Sequence, residues 1–241
     1  MSDKIYSHLA SIYSHLMRSI DYDSWADYII KISSELKSKN IIALELACGT
    51  GNLAKKLKSV FNFYVATDSS LSMLMQFEED KIHRVVCDMT SLPFKKKFNF
   101  VFSTFDSINY LTTKEKILKL LNSVNSCLTD DGIFTFDVSL ENNSIRYQKY
   151  LNRKGSFKGI HYIQKSKYDK EKRIHYNIFD ITLNDGSKVR EIHKQKIYEF
   201  DEYFRIIDKS NFYVMNCYEA FTFNNANAES ERAQFILKKK K

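Results

Sequence analysis

The stretch from Ile41 to Asn52 limits the possible folds of this chain more than any other. Ile41-Ile42-Ala43-Leu44-Glu45-Leu46-Ala47 reads as a short apolar strand carrying one acid, and it stops at Cys48-Gly49-Thr50-Gly51, where helical spacing begins. A strand that ends in a glycine bend and feeds directly into a helix belongs to an open α/β sheet. Such sheets bind ligands at the carboxyl ends of their strands. Gly49 to Ala54 fits G-x-G-x-x-A, a pattern shared with dinucleotide-binding turns. Charge separates the possibilities. A pyrophosphate would lie at the helix N-terminus, where Glu45 just upstream repels it; a cationic ligand is welcomed instead. Asp68 and Asp88 end two further apolar strands at matching places. At such an edge an acid can accept from ribose hydroxyls or from an exocyclic amine, and Met89 can lie against a ring face.

The rest of the chain supports the same architecture. Helical spacing runs over residues 3–18 and 22–38, through Tyr6, Leu9, Tyr13 and Leu16 and then Trp25, Ile29, Ile32 and Leu36. Strands are expected at 41–47, 63–67, 83–88, 98–104 and 132–138, with helices near 52–60, 70–81 and 113–128 between them. After Val138 the pattern changes. Residues 157–198 are rich in Ile, Tyr and Phe, with a turn at Asn184-Asp185-Gly186 and another expected over 165–172. A helix near 200–210 and strands at 212–220 and 232–238 close the chain. The expected fold is α/β and Rossmann-like: a seven-stranded, mostly parallel sheet with helices on both faces. Residues 1–150 and 199–241 are expected to form the main domain, and 151–198 an antiparallel β insertion.

The Ile41–Asn52 run, with Asp68 and Asp88, resembles the first three motifs of class I S-adenosylmethionine (SAM)-dependent methyltransferases. Phe102-Ser103-Thr104-Phe105-Asp106-Ser107-Ile108-Asn109-Tyr110-Leu111 is similar to the loop after the fourth strand in small-molecule N-methyltransferases of the glycine and amino-sugar type and in uncharacterised bacterial relatives. In that family the loop runs beneath the methionine part of SAM. Tyr13-Ser14-His15-Leu16-Met17 and Asp21-Tyr22-Asp23-Ser24-Trp25 resemble its N-terminal lid, with Tyr13 and Trp25 helping to enclose the cofactor. The resemblance implies SAM as cofactor and S-adenosylhomocysteine as product. It implies cofactor contacts from Glu45, Ala47, Cys48, Gly49, Gly51, Asn52, Asp68, Ser69, Met73, Asp88, Met89, Thr104, Phe105 and Asn109. No catalytic residue is fixed by it. His161, His175 and His193 in the insertion could include a general base, although each also suits a strand surface.

Composition narrows the field. With 241 residues, 44% of them hydrophobic, the chain can bury one substantial core. Its single proline, Pro93, precedes the fourth strand, so the proline motif of exocyclic-amine nucleic-acid methyltransferases is absent. No cysteine lies between Ser103 and Ser107, which excludes carbon-5 cytosine chemistry. The histidines show no metal-ligand spacing, so no metal is expected. Cys48, Cys87, Cys127 and Cys217 are scattered, as in a reducing compartment, and the N-terminus is no signal peptide; a cytoplasmic location and no membrane span are expected. Net charge is +8, partly from the Lys238–Lys241 run, and permits an anionic partner without requiring one. The expected activity is methyl transfer to a small molecule, most simply an amine, by a monomer or homodimer. The alternatives are a methyltransferase acting on RNA such as a tRNA base, a non-catalytic SAM-binding protein, and a nicotinamide oxidoreductase.

Overall fold

A computed structural model describes residues 5–77 and 82–241. Five parallel strands build the centre of the main sheet: β1 (Ile42–Leu46), β2 (Phe63–Asp68), β3 (His83–Val86), β4 (Phe98–Ser103) and β5 (Leu128–Ser139). β10 (Phe212–Glu219) and β11 (Arg232–Lys239) extend it, giving the order β10-β11-β5-β4-β1-β2-β3 with only β11 antiparallel to its neighbours. The order reverses between β1 and β4, which opens a crevice at the carboxyl ends of those strands. The expected fold class is observed.

Near-continuous apolar strands let helices cover both faces. On one side α5 (Lys114–Cys127) and α7 (Phe200–Asp208) bury Leu120, Leu121, Val124 and Tyr203 against Phe134, Phe136 and Phe235. On the other, α2 (Tyr22–Ser33) and α3 (Asn52–Leu57) bury Trp25, Ile29, Ile32 and Leu57 against Ala43, Phe100 and Phe102. Thr113 caps α5 and Asp21 caps α2, each accepting the backbone N–H three residues on.

A second sheet, in the order β6-β7-β8-β9, is formed by Arg153–Phe157, Ile160–Asp169, Ile174–Thr182 and Lys188–Lys196. It is fully antiparallel. One face turns inward, carrying Tyr162, Gln164, Ser166 and Tyr168 on β7, His175 and Phe179 on β8, and Glu191, His193 and Gln195 on β9. α1 (Ala10–Leu16) lies on this face, burying Leu9, Ile12 and Leu16 against Tyr162, Phe179 and Ile181.

Several boundaries differ from expectation. The turn expected over 165–172 is shorter, because β7 continues to Asp169; Lys165 and Lys167 point to solvent while Ser166 and Tyr168 point in, an alternation that mimics loop composition. β6 and α6 (Glu141–Tyr147) carry too little apolar pattern to be seen in the sequence, and α6 buries only Ser144. The first helix starts at Ala10; ahead of it Tyr6 is left-handed at φ +65°, and the backbone N–H groups of Tyr6, His8 and Leu9 donate to Glu191. The helix expected over 70–81 is observed as α4 (Leu71–Met75); its positions 78–81, like positions 3 and 4 of the first helix, lie outside the described residues.

Candidate functional site

The turn after β1 is held by the strand beside it. Ala47, Gly49 and Gly51 adopt φ values of +54°, +58° and +73°, so three residues in five sit in the left-handed region. For Ala47 that is strain, which surrounding contacts must maintain. Cys48 N–H donates to Thr67 O at 2.9 Å, and Gly49 N–H to Asp68 Oδ2 at 2.8 Å. Asp68 Oδ1 accepts from Ser70 N–H at 2.8 Å, so one carboxylate at the end of β2 organises both turns. Gly51 is obligatory for a second reason: a Cβ there would stand 2.4 Å from the Phe77 ring.

Beside this turn lies a cavity of about 970 Å³, walled by the carboxyl ends of β1, β2 and β4, by α1 and α2, and by the inward face of the antiparallel sheet. Of the residues proposed for cofactor binding, Tyr13, Trp25, Glu45, Ala47, Cys48, Gly49, Asn52, Asp68, Ser69, Met73, Met89, Thr104 and Phe105 line it. Gly51 stands behind the turn against Phe77. Asp88 is exposed at the end of β3, where its Oδ1 accepts from the N–H and hydroxyl of Thr90, both at 2.8 Å. Asn109 is fully buried away from the wall. Its amide donates to Ser139 O at 3.1 Å and Lys196 O at 2.9 Å and accepts from Ser139 N–H at 2.9 Å, so it joins β5 to β9.

Glu45 is buried and accepts from Tyr64 Oη at 2.5 Å. Burial, chiefly, pushes its carboxyl up to about 7, against the pull of the Tyr64 hydrogen bond. Burial also raises the Asp68 carboxyl, opposed by the N–H groups it accepts, and raises the Cys48 thiol, which is therefore no thiolate nucleophile.

Aromatic rings close the upper wall. Trp25 lies 4.5 Å from Phe105 and 4.6 Å from Phe221 between ring centroids, and Tyr22 lies 5.5 Å from Phe105. Ser14 Oγ meets Thr50 Oγ1 at 3.0 Å, setting α1 on the glycine turn. The segment leading into α1 is tied down by Glu191, which accepts from the N–H groups of Tyr6, His8 and Leu9 at 2.8, 2.7 and 3.1 Å. Burial works against that carboxylate, but His193 and these three donors outweigh it and hold its pKa down to about 2.

Of the three insertion histidines, His161 is exposed, whereas His175 and His193 line the cavity. His175 pairs with Ser166 Oγ at 2.7 Å. His193 sits between Tyr110 Oη at 3.3 Å and Glu191 Oε2 at 3.4 Å. The sequence reading misses a buried ionic cluster. Asp106, left-handed at φ +50°, pairs with Arg232 Nη2 at 2.6 Å; Arg232 also pairs with Asp137, whose Oδ2 accepts Asp106 N–H at 2.9 Å. Asp106 Oδ2 accepts from Gln195 as well. The only local signal is an acid after the fourth strand. Its arginine partner lies 126 positions away, beyond any short pattern. Among the described residues no His, Cys, Asp and Glu group is arranged for a metal ion, the four cysteines are free, and no helix is long and apolar enough to cross a membrane.

Comparison with known proteins agrees with this geometry. Residues 43–132 match the family model described as "Methyltransferase domain". The Bacillus subtilis protein YqeM, named as a candidate methyltransferase, is 29% identical over 98% of both chains. Among solved structures, an S-adenosylmethionine-dependent methyltransferase from Clostridium acetobutylicum superposes with a TM-score of 0.79 at 22% identity, over 98% of this chain and 99% of that one. The sugar N-methyltransferase KedS8 from Streptoalloteichus superposes at 0.74 with 13% identity, over 95% and 93%. With its glycine turn, strand-end acids and cavity at the order reversal of the sheet, this chain carries a match to a methyltransferase domain over residues 43–132 and shares the fold of SAM-dependent methyltransferases of known structure.

Proposed function

We propose that the enzyme methylates a small-molecule amine inside this cavity. One observation carries the reading: the wall holds the acids Glu45, Asp68, Asp106, Glu219, Glu229 and Glu231 against the guanidinium groups of Arg146, Arg153 and Arg232. The chain as a whole is basic, with net charge +8, so the acidic excess belongs to the cavity and not to the surface average. An acid-rich cavity, with Glu45 and Asp68 buried in its wall and Glu219 and Glu229 exposed at its mouth, suits a cationic guest and disfavours a polyanion such as RNA.

The lining residues fit SAM. Gly49 leaves a gap beside Tyr13 and Met73, each 3.7–3.8 Å from where a Cβ would stand, so any larger residue would intrude on a ligand there. Glu45 and the Gly49–Gly51 turn hold the methionine ammonium, Asp68 the ribose, and Met89 with Asp88 the adenine; Tyr13, Trp25 and Phe105 exclude water. SAM supplies an electrophilic methyl group on a sulfonium. The protein's part is to present a neutral amine in line with it, and the cavity acids favour the ammonium that results. Positioning of this kind supplies on the order of 7–11 kcal/mol. The amine acceptor draws support from the sugar N-methyltransferase among the structural neighbours. The β insertion at 151–198 and the N-terminal helices then form the acceptor lid.

Turnover is tested by S-adenosylhomocysteine release across a panel of small amines at low and high salt. Methylation of at least one amine with a salt-insensitive KM is expected. Methylation confined to RNA, with affinity falling steeply as salt rises, would overturn the assignment.

A proton count gives a second, acceptor-free check. The folded carboxyl of Glu45 sits at about 7, above its ordinary value of 4.5, so its share of stability is present at low pH and is lost as pH rises through 7. An ammonium placed beside it favours the ionised form. Binding of S-adenosylhomocysteine near pH 7 should therefore release part of a proton, read by calorimetry in buffers of different ionisation enthalpy. Glu45→Gln should remove that release.

A further inference from the structure

Three arginines line the cavity, and two of them are neutralised. Arg146 pairs with Glu231 at 2.6 Å, and Arg232 with Asp106 at 2.6 Å and with Asp137. Arg153, the first residue of β6, has no carboxylate partner among the described residues. Its Nε–H donates to Gln164 Oε1 at 2.7 Å and its Nη2 to the Leu16 carbonyl at 3.1 Å. Burial and then the like charge of Arg18 act against its protonated form, opposed only by the Tyr162 phenol. A half-buried guanidinium without a counter-charge is costly, and a guanidinium offers five N–H donors in a planar fork, of which the protein engages two.

The surrounding amides are oriented to add donors. Because Gln164 turns its oxygen to Arg153, its Nε2 must face the other way, and it donates to Asn177 Oδ1 at 3.2 Å. Asn177 is thereby fixed with its own NH₂ directed away from Gln164, and that NH₂ has no partner among the described residues. Asn177 lines the cavity, as Arg153 does. The result is a patch of unspent donors around one unpaired positive charge, in a cavity whose other charged groups are mostly acids. Fork-shaped donors of this kind match the two oxygens of a carboxylate or a phosphate.

We infer that Arg153 and the Asn177 amide form a subsite for an oxyanion on the methyl acceptor, a carboxylate or a phosphate group. The inference rests on the reading of this cavity as the acceptor site, and it sharpens that reading: the substrate carries an amine and, at its other end, an oxyanion. Selection works through charge separation. A neutral amine would leave the Arg153 fork unpaired, whereas an amine joined to an anion satisfies both walls.

The subsite is tested without knowledge of the substrate by calorimetric titration of inorganic phosphate, and separately of acetate, into protein saturated with S-adenosylhomocysteine. At least one anion should bind, and the tighter of the two distinguishes phosphate from carboxylate. Arg153→Met should weaken it by about tenfold or more, Arg153→Lys should retain part of the affinity, and S-adenosylhomocysteine binding should be unchanged in both. In turnover, matched amines ending in hydroxyl, carboxylate or phosphate should show an advantage of about tenfold in KM for an anionic member, lost in Arg153→Met. If neither anion binds, or if the variant weakens neutral and anionic amines equally, Arg153 merely ties α1 to β6 and the subsite is refuted. If no amine is turned over while phosphate binds and Arg153→Met abolishes that binding, the subsite stands and the amine assignment fails.

Discussion

Asp68→Ala should erase the thermal stabilisation that S-adenosylhomocysteine gives the wild-type protein, and Gly49→Arg should do the same. The two substitutions act through one piece of geometry. Asp68 receives the N–H of Gly49 on one oxygen and that of Ser70 on the other, both at 2.8 Å, so its removal frees two turns together and takes away the acceptor proposed for the ribose. Each N–H left without a partner costs about 1–3 kcal/mol. Gly49 sits at φ +58°, where a residue with a side chain is strained, and its missing Cβ faces Tyr13 and Met73. An arginine there would lie in the space proposed for the methionine end of the cofactor. A thermal-shift titration decides the matter: ligand-induced shifts in both variants equal to that of the wild type would remove the site assignment altogether.

The largest loss of stability should follow Arg232→Met. Arg232 is the counter-ion of Asp137, which is fully buried, and of Asp106, which is held in a left-handed conformation. Removing it strands a carboxylate in the core, an error worth about 3–5 kcal/mol. For a chain of this size that corresponds to a drop in Tm of roughly 6–20 °C. Burial keeps the Asp137 carboxyl above its ordinary range, although Arg232 pulls it down. Without the arginine it rises further. A carboxyl raised in the folded state destabilises that state as it ionises, so the deficit should grow as pH rises from 5 to 8 and shrink on acidification. Adding Asp137→Asn to Arg232→Met should recover much of the loss. A deficit independent of pH would mean that the guanidinium acts through packing alone.

The fold and one half of the site were legible in the sequence because their determinants are local. Glu45, Gly49 and Gly51 lie within seven positions, and the strand that leads into the turn is apolar enough to be recognised without its partners. Asp68 follows for the same reason: a strand end is a short-range signal. Asn109 shows where resemblance misleads about a side chain. It lies in the loop expected to touch the cofactor, yet its amide is engaged by Ser139 and Lys196, contacts that depend on strands still to come in the chain. The acceptor half resists reading altogether. Arg153, Gln164 and Asn177 look like surface residues of alternating strands, and only the register of β6 against β7 and β7 against β8 brings them together. The Asp106–Arg232 pair spans the whole second half of the chain. Period-two alternation says which residues share a face, but not which of the two faces is covered.

The anchoring of the first helical segment by Glu191 has a consequence for synthesis on the ribosome. The glycine bend and its neighbouring strands emerge early, and they carry most of the residues proposed for the nucleoside. The residues that lead into α1, although translated first, lack this anchor until position 191 has cleared the exit tunnel and paired into its hairpin. A nascent chain halted before that point would hold α1 through Ser14 and Thr50 but not the segment ahead of it, so the cavity wall is completed only late in translation.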